Sequence, residues 1–488
     1  MHFLACILFF NIFINASGLD DLEKSLKENL SMIEYPAEPW HDTPPEIFDV
    51  VIVGGGMAGL TASFALLTQG ISHIQIFDEN ADGFEGPWLT YARMNTLRSN
   101  KNLTGPALSI AELTFHAWYT AQFGDQAWND LNKIPTHLWA EYLQWYKKVL
   151  NLPFKNNHRL QAIIPEDNML RLIFKKPNNI FCQVFTRKVV LATGRGGFGG
   201  KEIPSIFQSL SPSFYTHASQ IIKQEKIAHK DIVIVGTGAS AFDNAAYVLE
   251  HGAQSVTLLM RRSIPPLVCK DWYLSTPGAH QGFYNLSNTD RWQMFKTIFS
   301  FGTTVPIDSL NRLKNYHNIK LYPNITIKAL QEDNQRIKIE TNADTFTADY
   351  IILATGFAID GFNQLELTNI IDDILLWQNI ITPDETSIEQ KLGRFPFLGP
   401  YFEFIEKTPG SALYLKNIHC FNYGASLSHG LISGDIAGVG TGAQRLALGI
   451  TADLFTAESS QHLANLAAYQ PPPGEVTEQD FDWLLSAT

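Results

Sequence analysis

The sequence predicts an α/β fold with two Rossmann-like dinucleotide-binding domains, the second inserted in the first, and a helical insertion. Two copies of one strand–glycine loop–helix pattern carry that prediction: residues 49–59 (DVVIVGGGMAG) and residues 231–241 (DIVIVGTGASA). After each helix comes a second apolar strand, ISHIQIF in the first unit and SVTLLM in the second. Between the units, residues 107–150 are aromatic-rich, and Trp139, Tyr142, Trp145 and Tyr146 fall at helical spacing.

Each glycine loop suits a pyrophosphate. A helix N-terminus offers unpaired N–H groups and a partial positive charge, and the chain must turn tightly from a buried strand to reach it. Gly54 and Gly236 supply the turn. Gly56 and Gly238 let the backbone approach the phosphates, with Met57, Ala58, Ala239 and Ser240 opening the helices. Gly59 and Ala241 let each helix pack close to its strand. The helices end near Gly70 and Gly252.

The residues after each second strand separate the two ligands. The first unit ends at Asp78, followed by Glu79. A carboxylate there accepts hydrogen bonds from an adenosine ribose and repels a 2′-phosphate. The second unit ends at Arg261 and Arg262, whose guanidiniums match a 2′-phosphate in charge and in forked geometry. The first site therefore calls for FAD and the second for NADPH.

Taken in order, residues 1–18 form an apolar leader, with no Lys or Arg before the first charge at Asp20. It reads as a signal or a weak membrane anchor, or else as a packed N-terminal segment or the product of a start codon placed too early. Cytoplasmic placement is the expectation from NADPH use, and export or anchoring through the leader is the alternative. Residues 19–46 read as an amphipathic helix and a proline-rich lead-in. The FAD domain occupies 47–216 and resumes at 351–470. The NADPH domain occupies 217–350, and a tail with three consecutive prolines covers 471–488. The aromatic stripe of the insertion reads as core packing, with pocket lining as the lesser alternative. Residues 263–310 form a long aromatic excursion, either a lid over the nicotinamide or a surface elaboration. Residues 413–421 read as a strand, and 436–457 as a helix.

A net charge of −12 argues against a nucleic-acid surface. The four cysteines form no CxxC pair, so a dithiol relay to disulfides is not expected, and no Cys/His spacing suggests a metal site.

At this point the chain resembles the class B flavin-dependent monooxygenases, the group of dimethylaniline, Baeyer–Villiger and N-hydroxylating enzymes. Residues 236–243 (GTGASAFD) look like the GxGxSxxD form of the second loop. Residues 190–194 and 352–357 are similar to the two ATG segments, which brings in Thr193, Gly194, Thr355 and Gly356 as cofactor residues. Residues 86–88 resemble the GG-x-W stretch, with Trp88 beside the flavin. The FxGxxxH fingerprint is incomplete: His217 is present, but Ser211 and Ser213 stand where Phe and Gly are expected. The resemblance to flavoproteins more widely implies that Gly434 and Asp435 contact the flavin ribityl chain.

The resemblance also implies the chemistry. NADPH reduces FAD, and dioxygen reacts to give a flavin peroxide that oxygenates a small organic molecule at nitrogen, sulfur or a carbonyl. Arg98 or Asn100 is a candidate donor to the developing charge, with binding of cofactor phosphate or capping of a loop as the alternative. His217 is a candidate to orient the nicotinamide, and His429 lies near the expected flavin edge. Two alternatives stand beside this reading: an NADPH oxidase or flavin reductase that oxygenates nothing, and a redox sensor that holds FAD structurally.

Overall fold

A computed structural model describes residues 18–41, 43–470, 474 and 476–485. The apolar leader, apart from Gly18, and the triple proline of the tail lie outside the described residues. The N-terminal helix α1 (residues 18–32) leads into β1 (Ile47–Val53), α2 (Met57–Leu67) and β2 (Ile74–Phe77). All eleven residues of α2 are buried. A helix that is apolar on every side belongs between two layers, and α2 lies between its sheet and a long C-terminal helix.

The insertion supplies α3 (Phe115–Asp130), broken at Gly124, and α4 (Thr136–Val149). Trp139, Tyr142, Trp145 and Tyr146 are all buried on α4, so the stripe is core. Strands β3 (Phe154–Lys155), β4 (Arg159–Glu166), β5 (Met169–Lys175) and β6 (Phe181–Leu191) complete the first sheet. Its order is β3-β2-β1-β6-β5-β4, parallel in the first half and antiparallel from β6 to β4.

The second unit begins with β7 (Tyr215–His217), β8 (Asp231–Val235), α5 (Ala239–Glu250) and β9 (Ser255–Leu259). After the excursion, which forms α6 (Pro277–Gly282), α7 (Asn288–Phe301) and α8 (Ile307–Leu313), come β10 (Ile319–Tyr322), β11 (Ile327–Asp333), β12 (Arg336–Thr341), β13 (Thr345–Ala348) and β14 (Tyr350–Leu353). Strands β10-β9-β8-β14-β7 make an all-parallel sheet, and β11-β12-β13 an antiparallel one. The second sheet thus takes in Tyr215–His217 and Tyr350–Leu353, a few residues beyond 217–350 at either end.

The excursion is neither loose nor peripheral. Phe283, Trp292 and Phe295 are buried in the same core cluster as the first sheet. Arg291 Nη1 on α7 donates to Ser428 O at 2.9 Å, stitching the excursion to the C-terminal part of the FAD domain. That part holds α9 (Ser387–Gly393), β15 (Ile418–His419), α10 (Ser426–His429), α11 (Val439–Ala457) and α12 (Ser459–Ala468). The expected strand over 413–421 shrinks to Ile418–His419. It pairs with the end of β6, at Val189 and Val190, where β5 has already ended, and His419 bridges to Glu403 on its other side. No helix among the described residues is long and apolar enough to cross a membrane.

Candidate functional site

The first glycine loop has the geometry of a phosphate cradle. Gly54 sits at φ +103°, a conformation glycine adopts without steric cost. Gly56 caps α2 with no side-chain bond, so the first N–H groups of the helix are left for a ligand. A Cβ on Gly56 would stand 3.6 Å from the Cα of Gly86. Two glycines therefore face each other across a slot lined by backbone alone. A Cβ on Gly59 would collide with the carbonyl of Gly54, the tight helix–turn packing expected there.

Asp78 is buried at the end of β2. Its Oδ2 accepts from Gly55 N at 2.7 Å and its Oδ1 from Asn80 N at 2.7 Å. Burial pushes its carboxyl above the usual range, and these N–H bonds oppose the shift. Glu79 is more open and pairs with Arg159 at 3.5 Å. Trp88 follows Gly86, its ring 6.2 Å edge-on from Trp139, and its buried Nε1 has no acceptor. An uncapped helix start, a backbone-lined slot and an orphaned indole N–H fit FAD.

Behind the slot lies a network with no motif to announce it. Buried Glu85 accepts from Lys147 Nζ at 3.0 Å, Gln144 Nε2 at 2.7 Å and Asn156 Nδ2 at 2.8 Å. It fixes the Gly86 turn against the insertion. Asn422 is another residue that sequence reasoning missed. Buried, it donates through Nδ2 to Leu191 O and Thr193 Oγ1, both at 3.1 Å, and accepts from Gly424 N at 2.8 Å. It thereby ties the end of β6, with Thr193 and Gly194, to the chain segment that precedes Gly434 and Asp435. The Asx-turn geometry of Asn422 is local, but its partners are more than 200 residues away in sequence, so nothing nearby signals them.

Gly434 is exposed and Asp435 half-buried, with Ser275 Oγ donating to Asp435 Oδ2 at 3.4 Å. Burial raises the Asp435 carboxyl. Asp435 does not cap α11. Residues 436–438 form a turn whose N–H groups bond back to Asp435, and Gly438 takes the cap position, so the helix starts at Val439 rather than near 436.

At the second loop, Gly236 turns at φ +155° and Gly238 caps α5, again without a side-chain bond. Ala239 and Ala241 are buried against the sheet and Ser240 faces solvent. The closest atom to a Cβ on Gly238 is Thr303 O at 3.7 Å, so the segment after α7 flanks this cradle. The two arginines at the end of β9 differ. Arg262 donates to Phe301 O and Ser300 O, both at 3.0 Å, closing the C-terminus of α7. Arg261 is exposed and has no hydrogen bond or ion pair among the described residues.

The expected catalytic residues are put to other uses. Asn100 is exposed, and its Oδ1 accepts from Asn102 N at 2.9 Å, a turn contact rather than one aimed at a ligand. Arg98 Nη2 is paired with Oδ2 of buried Asp243 at 3.1 Å, and Oδ1 of the same carboxylate accepts from Ser309 Oγ, so this arginine joins the two domains. The buried Arg98 Nε has no partner. His217 is buried with both nitrogens engaged: Nε2 donates to Gly356 O at 2.8 Å, and Nδ1 accepts from Ser219 N at 3.1 Å. Burial lowers its pKa. It fastens the Thr355–Gly356 loop, where Thr355 Oγ1 donates to Glu202 O. His429 is likewise buried, bonded to Gly399 O at 2.9 Å and stacked on Phe402. Burial, aided by Arg445, carries its pKa down to about 3.

Two glycine-loop cradles, each at the end of a parallel strand, one beside a buried carboxylate and one beside an uncommitted arginine, define a two-dinucleotide flavoprotein oxidoreductase. The family described as pyridine nucleotide-disulphide oxidoreductase matches residues 51–268. An FAD-dependent urate hydroxylase of Xanthomonas campestris pv. campestris is 33% identical over 448 residues, covering 90% of this chain and 93% of that protein. A Baeyer-Villiger monooxygenase of Stachybotrys chlorohalonatus is 26% identical over 202 residues, covering 40% of this chain and 30% of that one. Among solved structures, an ornithine hydroxylase from Pseudomonas aeruginosa aligns with TM-score 0.66 at 15% identity, over 84% of this chain and all of that one. The chain belongs to the class B flavin-dependent monooxygenases, oxidoreductases that use FAD and NADPH.

Proposed function

We propose that this monooxygenase hydroxylates a planar heterocycle of the urate class. The observation that carries the reading is the end-to-end match to a urate hydroxylase, which spans both glycine loops and the segment before α11. In balance, substrate–H, O2, NADPH and a proton give substrate–OH, water and NADP+.

The chain's own residues bind and orient. The N-terminus of α2 and the Gly56–Gly86 slot receive the FAD pyrophosphate, and Asp78 accepts from the ribose. Arg261 meets the NADPH 2′-phosphate at the mouth of the second loop. Asp435 and the start of α11 face the flavin's ribityl and pyrimidine side, where the helix dipole favours negative charge. Bound FAD supplies the redox chemistry, accepting a hydride from NADPH and activating dioxygen. The excursion, with Phe283, Trp292 and Phe295 buried in the main core, is fixed against the FAD domain.

The test is NADPH and oxygen consumption by the purified protein with and without urate, with hydrogen peroxide measured alongside. The reading requires urate to accelerate NADPH oxidation with one urate consumed per NADPH. Steady peroxide release that urate does not change would instead mark an oxidase. An FAD-loaded protein that leaves NADPH untouched would mark a sensor.

A further inference from the structure

Among the described residues, the arginines are nearly all committed to carboxylates, carbonyls or other acceptors. The two exceptions are Arg261, already placed at the NADPH phosphate, and Arg195. Arg195 is exposed and has neither a hydrogen bond nor an ion pair. Its guanidinium carbon lies 5.3 Å from the centre of the Tyr423 ring.

The loop that presents Arg195 is rigid. Gly194 turns at φ +70°, and Gly197 N donates to Gly194 O at 3.2 Å. Gln364 Nε2 holds Gly196 O at 2.8 Å, and Asn422 holds Thr193 Oγ1 at 3.1 Å. A guanidinium on a fixed turn, resting on an aromatic face, loses little freedom when it meets an anion. Its position is central. The charge of Arg195 is felt at Tyr91, three residues past Trp88, at Tyr423, and at Asp435. These lie on the segments that flank the flavin in the reading above. Burial raises the Asp435 carboxyl, and the Arg195 charge opposes that shift.

We propose that Arg195 determines substrate specificity by anchoring the anionic edge of a planar, singly charged heterocycle, with the Tyr423 ring presetting the guanidinium plane. Urate has the required chemistry, since at neutral pH it is a flat monoanion with carbonyl and ring-nitrogen acceptors side by side. A forked donor meets that edge with two parallel hydrogen bonds. The assignment rests on the urate-class reading.

The experiment titrates urate against FAD-loaded wild type, Arg195→Ala and Arg195→Lys, reading the flavin difference spectrum and the KM values for urate and NADPH. The alanine variant is expected to raise the urate constants about 10- to 100-fold, the range for losing hydrogen bonds to a charged group. The lysine variant should recover only part of that loss, and FAD content and the NADPH KM should stay at wild-type values. Unchanged urate constants in a responsive background overturn this assignment alone. A rise in the NADPH KM by the same factor, or loss of FAD, also overturns it, because Arg195 would then be a cofactor contact. A wild type indifferent to urate overturns the urate-class reading and this assignment together.

Discussion

Replacing Arg261 with alanine isolates the proposed phosphate contact. Its neighbour Arg262 has both terminal nitrogens on the carbonyls of Phe301 and Ser300, whereas Arg261 is exposed and free. The two arginines therefore separate by function, although they are adjacent in sequence. A hydrogen bond to a charged group contributes about 1.5–3 kcal/mol net, and solvent screening at an open site favours the lower part of that range. At about 1.4 kcal/mol per factor of ten, the KM for NADPH should rise roughly 10- to 30-fold. The KM for NADH, which lacks the 2′-phosphate, should not move. Steady-state oxidation of the two nucleotides, followed in parallel on FAD-loaded protein, supplies both values. An equal change for both, or no change for either, would refute the argument. Arg262→Ala should behave differently, loosening the end of α7 and affecting both nucleotides alike.

Three further outcomes follow from the same contacts. Gly56→Val should give a folded but colourless protein, since its side chain enters the slot opposite Gly86; a yellow purified variant contradicts this. Asn422→Ala removes four side-chain hydrogen bonds, three of them buried, and leaves Gly424 N–H without its partner. It should cost about 1–3 kcal/mol and lower FAD affinity, read by thermal melts of the loaded and stripped protein; an unchanged melt excludes it as a tie. His419 and His429 are both carried by burial from 6.5 down to about 3. The unfolded chain then binds protons that the fold does not, so stability is full above pH 6.5 and falls on acidification towards about 3. The slope approaches roughly 1.4 kcal/mol per pH unit for each histidine. Denaturant titrations at pH 7 and pH 5 check it, and equal stability at the two values would contradict it.

Much of the scaffold is legible in the chain because its signals are local. A buried strand, a glycine at positive φ and a helix start lie within about a dozen residues, so both loops can be read directly, while the commitment of Arg262 to the end of α7 cannot. The aromatic spacing of α4 marks a core face for the same reason. What the chain hides is long-range. The pairing of Arg98 with Asp243 spans the two domains, and the partners of Asn422 and Glu85 are gathered from separate segments. The excursion over 263–310 looks like either a lid or a decoration in sequence. Its burial of Phe283, Trp292 and Phe295 in the first domain's core appears only once the domains are docked. His217 shows the converse: its place before the second loop suggests chemistry, yet Gly356 O and Ser219 N occupy its nitrogens. Polar residues in a suggestive segment do not declare whether their hydrogen-bonding capacity is already taken. The Ser211 and Ser213 departures lie in an exposed turn, bonded to each other at 3.0 Å, and leave both cradles intact.

The most direct test of the account is anaerobic addition of NADPH to the freshly purified protein, followed by its visible spectrum. If two dinucleotides meet between these sheets, the protein is yellow as isolated, NADPH bleaches it, and air restores the colour. A colourless protein that takes up no flavin, or a yellow one that NADPH fails to bleach, would contradict the claim that this chain passes electrons from one bound cofactor to the other.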